Sequence, residues 1–419
     1  MHTDLTQKDL KYIWHPFTQM KDYETDAPPL IIDRGEGIYI WDIDGNKYID
    51  GISSWWVNTL GHCHPRLNAA LKRQIDKIEH VLLAGFSHVP VIELAEKLIQ
   101  ITPPELAKVF YSDNGSTAVE VALKMAYQYW QQSNQPQKTK FIALKNSYHG
   151  DTLGSVSVGG IDVYHKLYKP LLFDIYQAEM PYPDSIETIL KEHHKEIAGL
   201  IVEPLVQAAA GMLMYPTEYL TQFRKLCDKY DVLLIDDEVA MGFGRTGQMF
   251  AFEHAGIVPD IICLAKGLTA GYLPLAVTIT TEQIYQAFYD DYDKFKTFFH
   301  GHSFTGNPLA ASVAVENLKI FEEEKIIESL QSKIQCLKKN LEKFRNLDYV
   351  EDIRHIGMIG AVEFKENIGK NIYKEALKRG AVLRPLGKVV YFMPPYVITE
   401  EEIDRLTDIA VDAIKAALG

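Results

Sequence analysis

At 419 residues the chain is too long for one small core and fits two or three domains, or one large domain with a satellite. Its 47% hydrophobic and 24% charged residues are ordinary for a soluble globular protein, and a formal net charge of −13 disfavours a nucleic-acid partner, which calls for a basic face. Cys63, Cys227, Cys263 and Cys336 form no C-x-x-C pair, the first residues carry no signal-peptide-like apolar run, and nothing approaches the roughly 18 apolar residues of a membrane span, so a cytoplasmic location is expected.

The segment from Pro28 to Gly51 reads as strand, turn, strand, turn, strand, with Gly35, Gly37 and Asp44-Gly45 supplying the turns of a small antiparallel meander. Two helices follow in "PRLNAALKRQIDKI" and "PVIELAEKLIQIT", each opened by a proline at a first-turn position. "AKVFYSDNGSTAVEVALKMAYQYWQQ" reads as strand, loop and long helix. The runs "TKFIALKNSYHG", "IAGLIVEPLVQ", "DVLLIDDEVAMG" and "DIICLAKGL" are short, apolar and polar-ended, with helical segments between several of them. Buried strands alternating with helices predict an α/β fold on a mainly parallel sheet. Functional residues are then expected just beyond the carboxyl ends of the strands. One or two long amphipathic helices follow from Pro308, then short strands in "GMIGAVEF", "GAVLRPLG" and "KVVYFMPP", then a closing helix. The expected organisation is an N-terminal segment over 1–60 packing near the small domain, a large domain over 61–314 and a smaller α+β domain over 315–419.

Four strand ends carry candidate chemistry. Gly242, Gly244 and Gly247 have the spacing of a dinucleotide-binding turn. That fingerprint requires an acid at the end of the following strand, whereas Asp237 and Glu238 precede the glycines and Asp260 begins the next strand. A glycine-rich loop over an active site suits the segment better. Asp237, at a strand end, suits a protonated pyridine nitrogen, which would make such a ring a stronger electron sink. Lys266 ends the next strand, where partial desolvation would keep its amine from permanent protonation and ready to form an imine. Taken singly, each reads more readily as an ordinary polar strand end. Gly115 and Ser116 open a helix after Asn114, where free N–H groups and a hydroxyl make a phosphate cradle or a simple cap. Tyr148 follows another strand and is either a stacking platform for a planar group or a core aromatic.

Together these residues resemble the class III, ω-amino acid type, aminotransferases. The resemblance rests on Asp237 and Lys266 with "GFGRTG" between them, on "NGSTAVEVALKMA", "SYHGDT" and "HGHSFTGNPLA", and it spans nearly the whole chain. It implies a fold-type I pyridoxal-phosphate transferase with a mainly parallel seven-stranded sheet in its large domain. Lys266 would hold pyridoxal 5'-phosphate as a Schiff base, with Asp237 and Tyr148 completing the catalytic set. Gly115, Ser116 and Val239 would also bind the cofactor, and so would His302 and Ser303 from a partner subunit, which implies a homodimer with shared active sites.

Within the family, "YIWHPFTQM", "GISSWWVNTLGHCHP" and "RPLGKVVYFMPPY" resemble the members that aminate 8-amino-7-oxononanoate to 7,8-diaminononanoate in biotin synthesis. On that reading Phe17, Trp55, Trp56, Tyr148, Asp151, Arg245, Lys266, Gly301 and Arg384 meet substrate. An aliphatic substrate needs an apolar aromatic wall, and its far carboxylate suits a guanidinium fork. The other readings are two core or interface tryptophans and a structural ion pair. Phe17 stands where some members carry a tyrosine, and Met241 where a threonine is usual. The expected donor is S-adenosylmethionine, with L-lysine or another ω-amino acid reaction as alternatives, and a non-catalytic cofactor binder as the rival from another class. His62, Cys63 and His64 suggest a metal site only weakly, because no partner cluster follows at ligand spacing; no metal is expected. His193-His194 and "FEEEK" read as solvated helix faces.

Overall fold

Runs of branched and aliphatic residues form the central strands, and almost every residue in them is buried. In the computed structural model, which describes residues 2–25 and 29–418, these strands assemble one large sheet and three small ones. Pro28, the first residue of the predicted meander segment, lies outside the described residues.

The meander comprises β1 (Ile32–Glu36), β2 (Tyr39–Asp42) and β3 (Lys47–Asp50), paired antiparallel in sequence order. Gly37 and Gly45 have positive φ, as turn glycines do. Gly35 corrects the expectation: it is not a turn residue but lies within β1, opposite Ile40. A Cβ there would come within 2.8 Å of the His62 Cβ, so this glycine permits a close approach.

The large sheet uses β4 (Leu106–Ser112), β5 (Lys140–Leu144), β6 (Tyr176–Ala178) and β7 (Ile197–Val202). A two-stranded ribbon of β8 (Val206–Gln207) and β9 (Leu213–Met214) interrupts it in the chain. It continues with β10 (Leu233–Asp237), β11 (Ile261–Leu264) and β12 (Ala276–Thr281). The spatial order is β4-β12-β11-β10-β7-β5-β6. The antiparallel pairings are those of β12 with β11 and with the edge strand β4, and the rest are parallel, so seven strands form a mainly parallel sheet. Helices cover it, among them Gly115–Gln132 and Thr217–Tyr230. The carboxyl ends of β5, β7, β10 and β11 therefore deliver Tyr148, Glu203, Asp237 and Lys266 to one edge.

Two long helices follow, Pro308–Glu323 and Ile326–Leu341. The remaining strands are β13 (Val350–Ile356), β14 (Ile359–Phe364), β15 (Ala381–Val382) and β16 (Val389–Phe392). The strand β13 was not anticipated: "VEDIRHI" is polar and only partly buried, without the apolar run that marks a central strand. β15 pairs in parallel with β3, so the meander and the C-terminal segment share one four-stranded sheet. Among the described residues no helix is long and apolar enough to cross a membrane.

Candidate active site

A cavity of about 450 Å³ opens at the carboxyl edge of the large sheet. Gly115, Ser116, Tyr148, Asp237, Val239 and Lys266 all line it, as does Trp56. Sequence positions from five separate segments thus converge on one space.

Asp237 ends β10 and is buried. Its Oδ2 lies 2.7 Å from His149 Nδ1, and its Oδ1 accepts the Val239 N–H at 3.1 Å. A carboxylate acceptor requires the His149 proton on Nδ1, which leaves Nε2 buried without a partner. Lys266 sits just past β11, the parallel neighbour of β10. Burial pushes its ammonium below the usual lysine value, against the opposing pull of Asp237 and Glu203. Its Nζ stands 5.3 Å from the centroid of the Trp56 ring.

Asn114 caps the helix that starts at Gly115: its side chain accepts the Thr117 N–H at 3.1 Å, while Thr117 Oγ1 accepts the Asn114 N–H at 3.1 Å. The amides of Gly115 and Ser116 belong to the first turn and have no intrahelical acceptor. A Cβ on Gly115 would come within 2.6 Å of Val239 Cγ1, so only glycine lets the helix start approach the Val239 side of the cavity. Ser116 Oγ accepts the Asp151 N–H at 2.8 Å. Tyr148 donates its hydroxyl to Asp151 Oδ2 at 2.7 Å; burial and that carboxylate both push the phenol well above its ordinary value.

Among the lining residues that the sequence alone does not point to are His149 and Glu203. His149 is hidden beside Tyr148, and only the fold brings it to Asp237. Glu203 follows β7 and accepts the N–H groups of Tyr148 at 2.8 Å and Ala208 at 3.1 Å. Its complete burial pushes the carboxyl up to about 7, although His149 pulls the other way. The available signals were a histidine in "SYHG" and an acid closing the apolar run "GLIVEP".

Beyond the cavity lining, Trp55 adjoins Trp56 and the Arg384 guanidinium lies 3.9 Å from the centroid of its ring. Among the described residues Arg384 has no carboxylate partner. Phe17 packs edge-on against Trp55 and Tyr164, at 5.5 and 5.6 Å between centroids. Met241 lines the cavity. Arg245 is buried behind the tryptophans, donating to Pro394 O at 2.9 Å and to Ser53 Oγ at 3.4 Å. Gly301, His302 and Ser303 do not line this cavity; they border a separate one of about 580 Å³ with His80 and Phe110.

Buried, partner-poor atoms at this site match a flat, phosphorylated pyridine aldehyde. A free-ended helix start would take its phosphate, Tyr148 and Val239 its two faces, Asp237 its ring nitrogen and Lys266 its carbonyl carbon. The residues present fit that group.

The family model for class-III aminotransferases matches residues 20–414. The adenosylmethionine-8-amino-7-oxononanoate aminotransferase of Geobacter sulfurreducens is 47% identical, with 96% of this chain and 95% of the relative covered. A crystal structure of the same-named enzyme from Methanocaldococcus jannaschii superposes with a TM-score of 0.97 at 44% identity, covering 99% of each chain. The ω-transaminase of Pseudomonas jessenii, solved in complex with PMP, gives a TM-score of 0.93 at 33% identity, covering 99% of this chain and 98% of the other.

Proposed function

Because the chain belongs to the class-III aminotransferases, we propose that it aminates 8-amino-7-oxononanoate to 7,8-diaminononanoate, a step of biotin biosynthesis. The observation that supports the substrate is a pair of contacts on neighbouring residues: Lys266 lies over the Trp56 ring and Arg384 over the Trp55 ring, Arg384 having no carboxylate partner among the described residues. A reactive amine at one end, an aromatic wall and a guanidinium at the other suit a long aliphatic keto acid. The donor is S-adenosylmethionine, a reading supported by the names of the relatives.

The cofactor is pyridoxal 5'-phosphate, which supplies a carbonyl that condenses with amines and a ring that takes up the electrons released as a proton leaves carbon. Gly115 and Ser116 would hold its phosphate, Tyr148 and Val239 its ring faces, and Asp237 its ring nitrogen. His149 and the Val239 amide fix the Asp237 carboxylate for that purpose. Lys266 would hold the cofactor's carbonyl carbon, and its own amine, when free, would be the group placed to take and return the proton at the donor carbon. Burial lowers the proton affinity of that amine, against the pull of Asp237 and Glu203. The donor product leaves before the keto acid enters, and Arg384 then orients the acceptor by its far carboxylate. Asp151 sets the Tyr148 hydroxyl at the mouth of the site. Gly301, His302 and Ser303 of the partner subunit close the phosphate end in a homodimer, and the enzyme works in the cytoplasm.

The test is to mix purified holoenzyme, 8-amino-7-oxononanoate and each donor and measure the diamine by mass spectrometry. Diamine with S-adenosylmethionine is expected. Diamine with L-lysine alone would overturn the donor, and none with any amine would overturn the acceptor.

A further inference from the structure

The two tryptophans stand on a backbone conformation that L residues rarely adopt. Ser53, Ser54, Trp55 and Trp56 have φ of 50°, 46°, 70° and 72°, four successive non-glycine residues in the left-handed region. Each alone is unfavourable, and a run of four persists only where its surroundings over-determine it. The turn is closed by its own backbone, with the Val57 and Asn58 N–H groups both donating to Ser53 O at 3.0 Å.

Polar contacts clamp it from behind. Asp50, almost fully buried, accepts from the Ile52 N–H at 3.3 Å and the Ser54 N–H at 3.0 Å on one oxygen. Its other oxygen accepts the Ser54 hydroxyl at 2.7 Å and lies 3.1 Å from His62 Nε2. Burial alone would raise this carboxyl, but the His62 and Ser54 contacts outweigh it and hold it below the usual carboxylate range, so it is present as the acceptor. His62 is itself pinned: its N–H and C=O exchange hydrogen bonds with Gly37, and its ring passes over Gly35. On the far side Ser53 Oγ donates to Met393 O at 2.7 Å. The histidine that resembled a stray metal ligand therefore belongs to this clamp.

We propose that Asp50 is a positioning residue for the acceptor: its carboxylate holds residues 53–56 in the left-handed turn and so aims Trp55 at Arg384 and Trp56 at Lys266. Asp50 touches neither substrate nor cofactor residues; it acts through the turn. The substrate part of this inference rests on the acceptor reading above.

The decisive comparison is Asp50→Ala against Asp50→Ala with Ser54→Gly, because glycine enters the left-handed region without the steric cost that Asp50 offsets. In the single variant the KM for 8-amino-7-oxononanoate should rise about tenfold with kcat near wild type, the pattern of lost binding. Absorbance of the lysine-bound cofactor should stay. Adding Ser54→Gly should recover most of the KM. If Asp50→Ala fails to fold, Ser54→Gly should recover folding, read as a cooperative melt. An unchanged KM in Asp50→Ala, or no recovery by Ser54→Gly in either measurement, overturns the proposal. Near-UV circular dichroism of the holoenzymes separates the two readings. If the wild type ignores this keto acid, the acceptor reading alone falls. The indole signal should still weaken in Asp50→Ala and return with Ser54→Gly, and its failure to change overturns the role of Asp50.

Discussion

Asp237 is the last residue of β10, paired with Cys263, and Lys266 stands two residues past the end of the adjacent parallel strand β11, so both inherit their placement from the sheet. Trp55 and Arg384 meet from opposite ends of the chain, one on a left-handed turn and the other just past the two-residue strand β15. The proposed cofactor wall thus follows from regular secondary structure, while the proposed acceptor wall is built from an irregular turn and from the segment after β15, which pairs with β3. A sheet edge is rigid and suits chemistry that every substrate shares. A wall assembled from loops changes without disturbing the sheet, which suits it to the proposed role in substrate choice.

Substitutions on the two sides should therefore fail differently. Lys266→Ala removes the attaching and proton-moving amine, and turnover should fall at least about 10⁴-fold, with loss of the near-visible absorbance of the bound cofactor. Steady-state assay and a spectrum check both, and a variant turning over at wild-type rate would sink the role. Asp237→Asn keeps the shape but not the charge; kcat should drop about a hundredfold or more for every donor and acceptor, since the loss is electronic. A loss confined to one substrate would place Asp237 on the wrong wall. Arg384→Ala should raise the KM for the keto acid by about 10- to 100-fold, the worth of roughly 1.5–3 kcal/mol for a charged hydrogen bond. The donor half-reaction, followed by stopped-flow, should change less; equal damage to both halves would contradict the division.

A further effect concerns stability on the cofactor side. Glu203 is raised from 4.5 to about 7 in the folded protein. A raised carboxyl contributes fully below about pH 4.5 and loses that contribution as pH rises through about 7. The loss is on the order of 3 kcal/mol, a few degrees of Tm for a chain this long. Melting curves across pH 5–8 should show wild type declining more than Glu203→Gln, and parallel curves would remove Glu203 as the cause.

Legibility in the sequence followed the same division. Lys266, Asp237 and the Gly115-Ser116 turn were readable because apolar runs ending in polar residues mark strand ends, and an Asn before Gly-Ser marks a helix start. The mainly parallel sheet was readable from the same runs. The His149–Asp237 pair was not, since a contact across parallel strands leaves no local spacing. Nor was the turn over 53–56, whose "SSWW" contains no glycine to announce a left-handed backbone. Gly35 misled for the opposite reason: a glycine near a turn serves a side-chain approach instead. Arg384 and the tryptophans came from family resemblance, and only the fold shows them in contact.

The most direct measurement is a single turnover with the acceptor. Enzyme carrying the amino form of its cofactor is mixed with 8-amino-7-oxononanoate alone, and the diamine formed per site is counted. One diamine per active site, together with recovery of the absorbance of the Lys266-bound cofactor, is the expected result; no diamine, with the amino form discharged by a different keto acid instead, would contradict it.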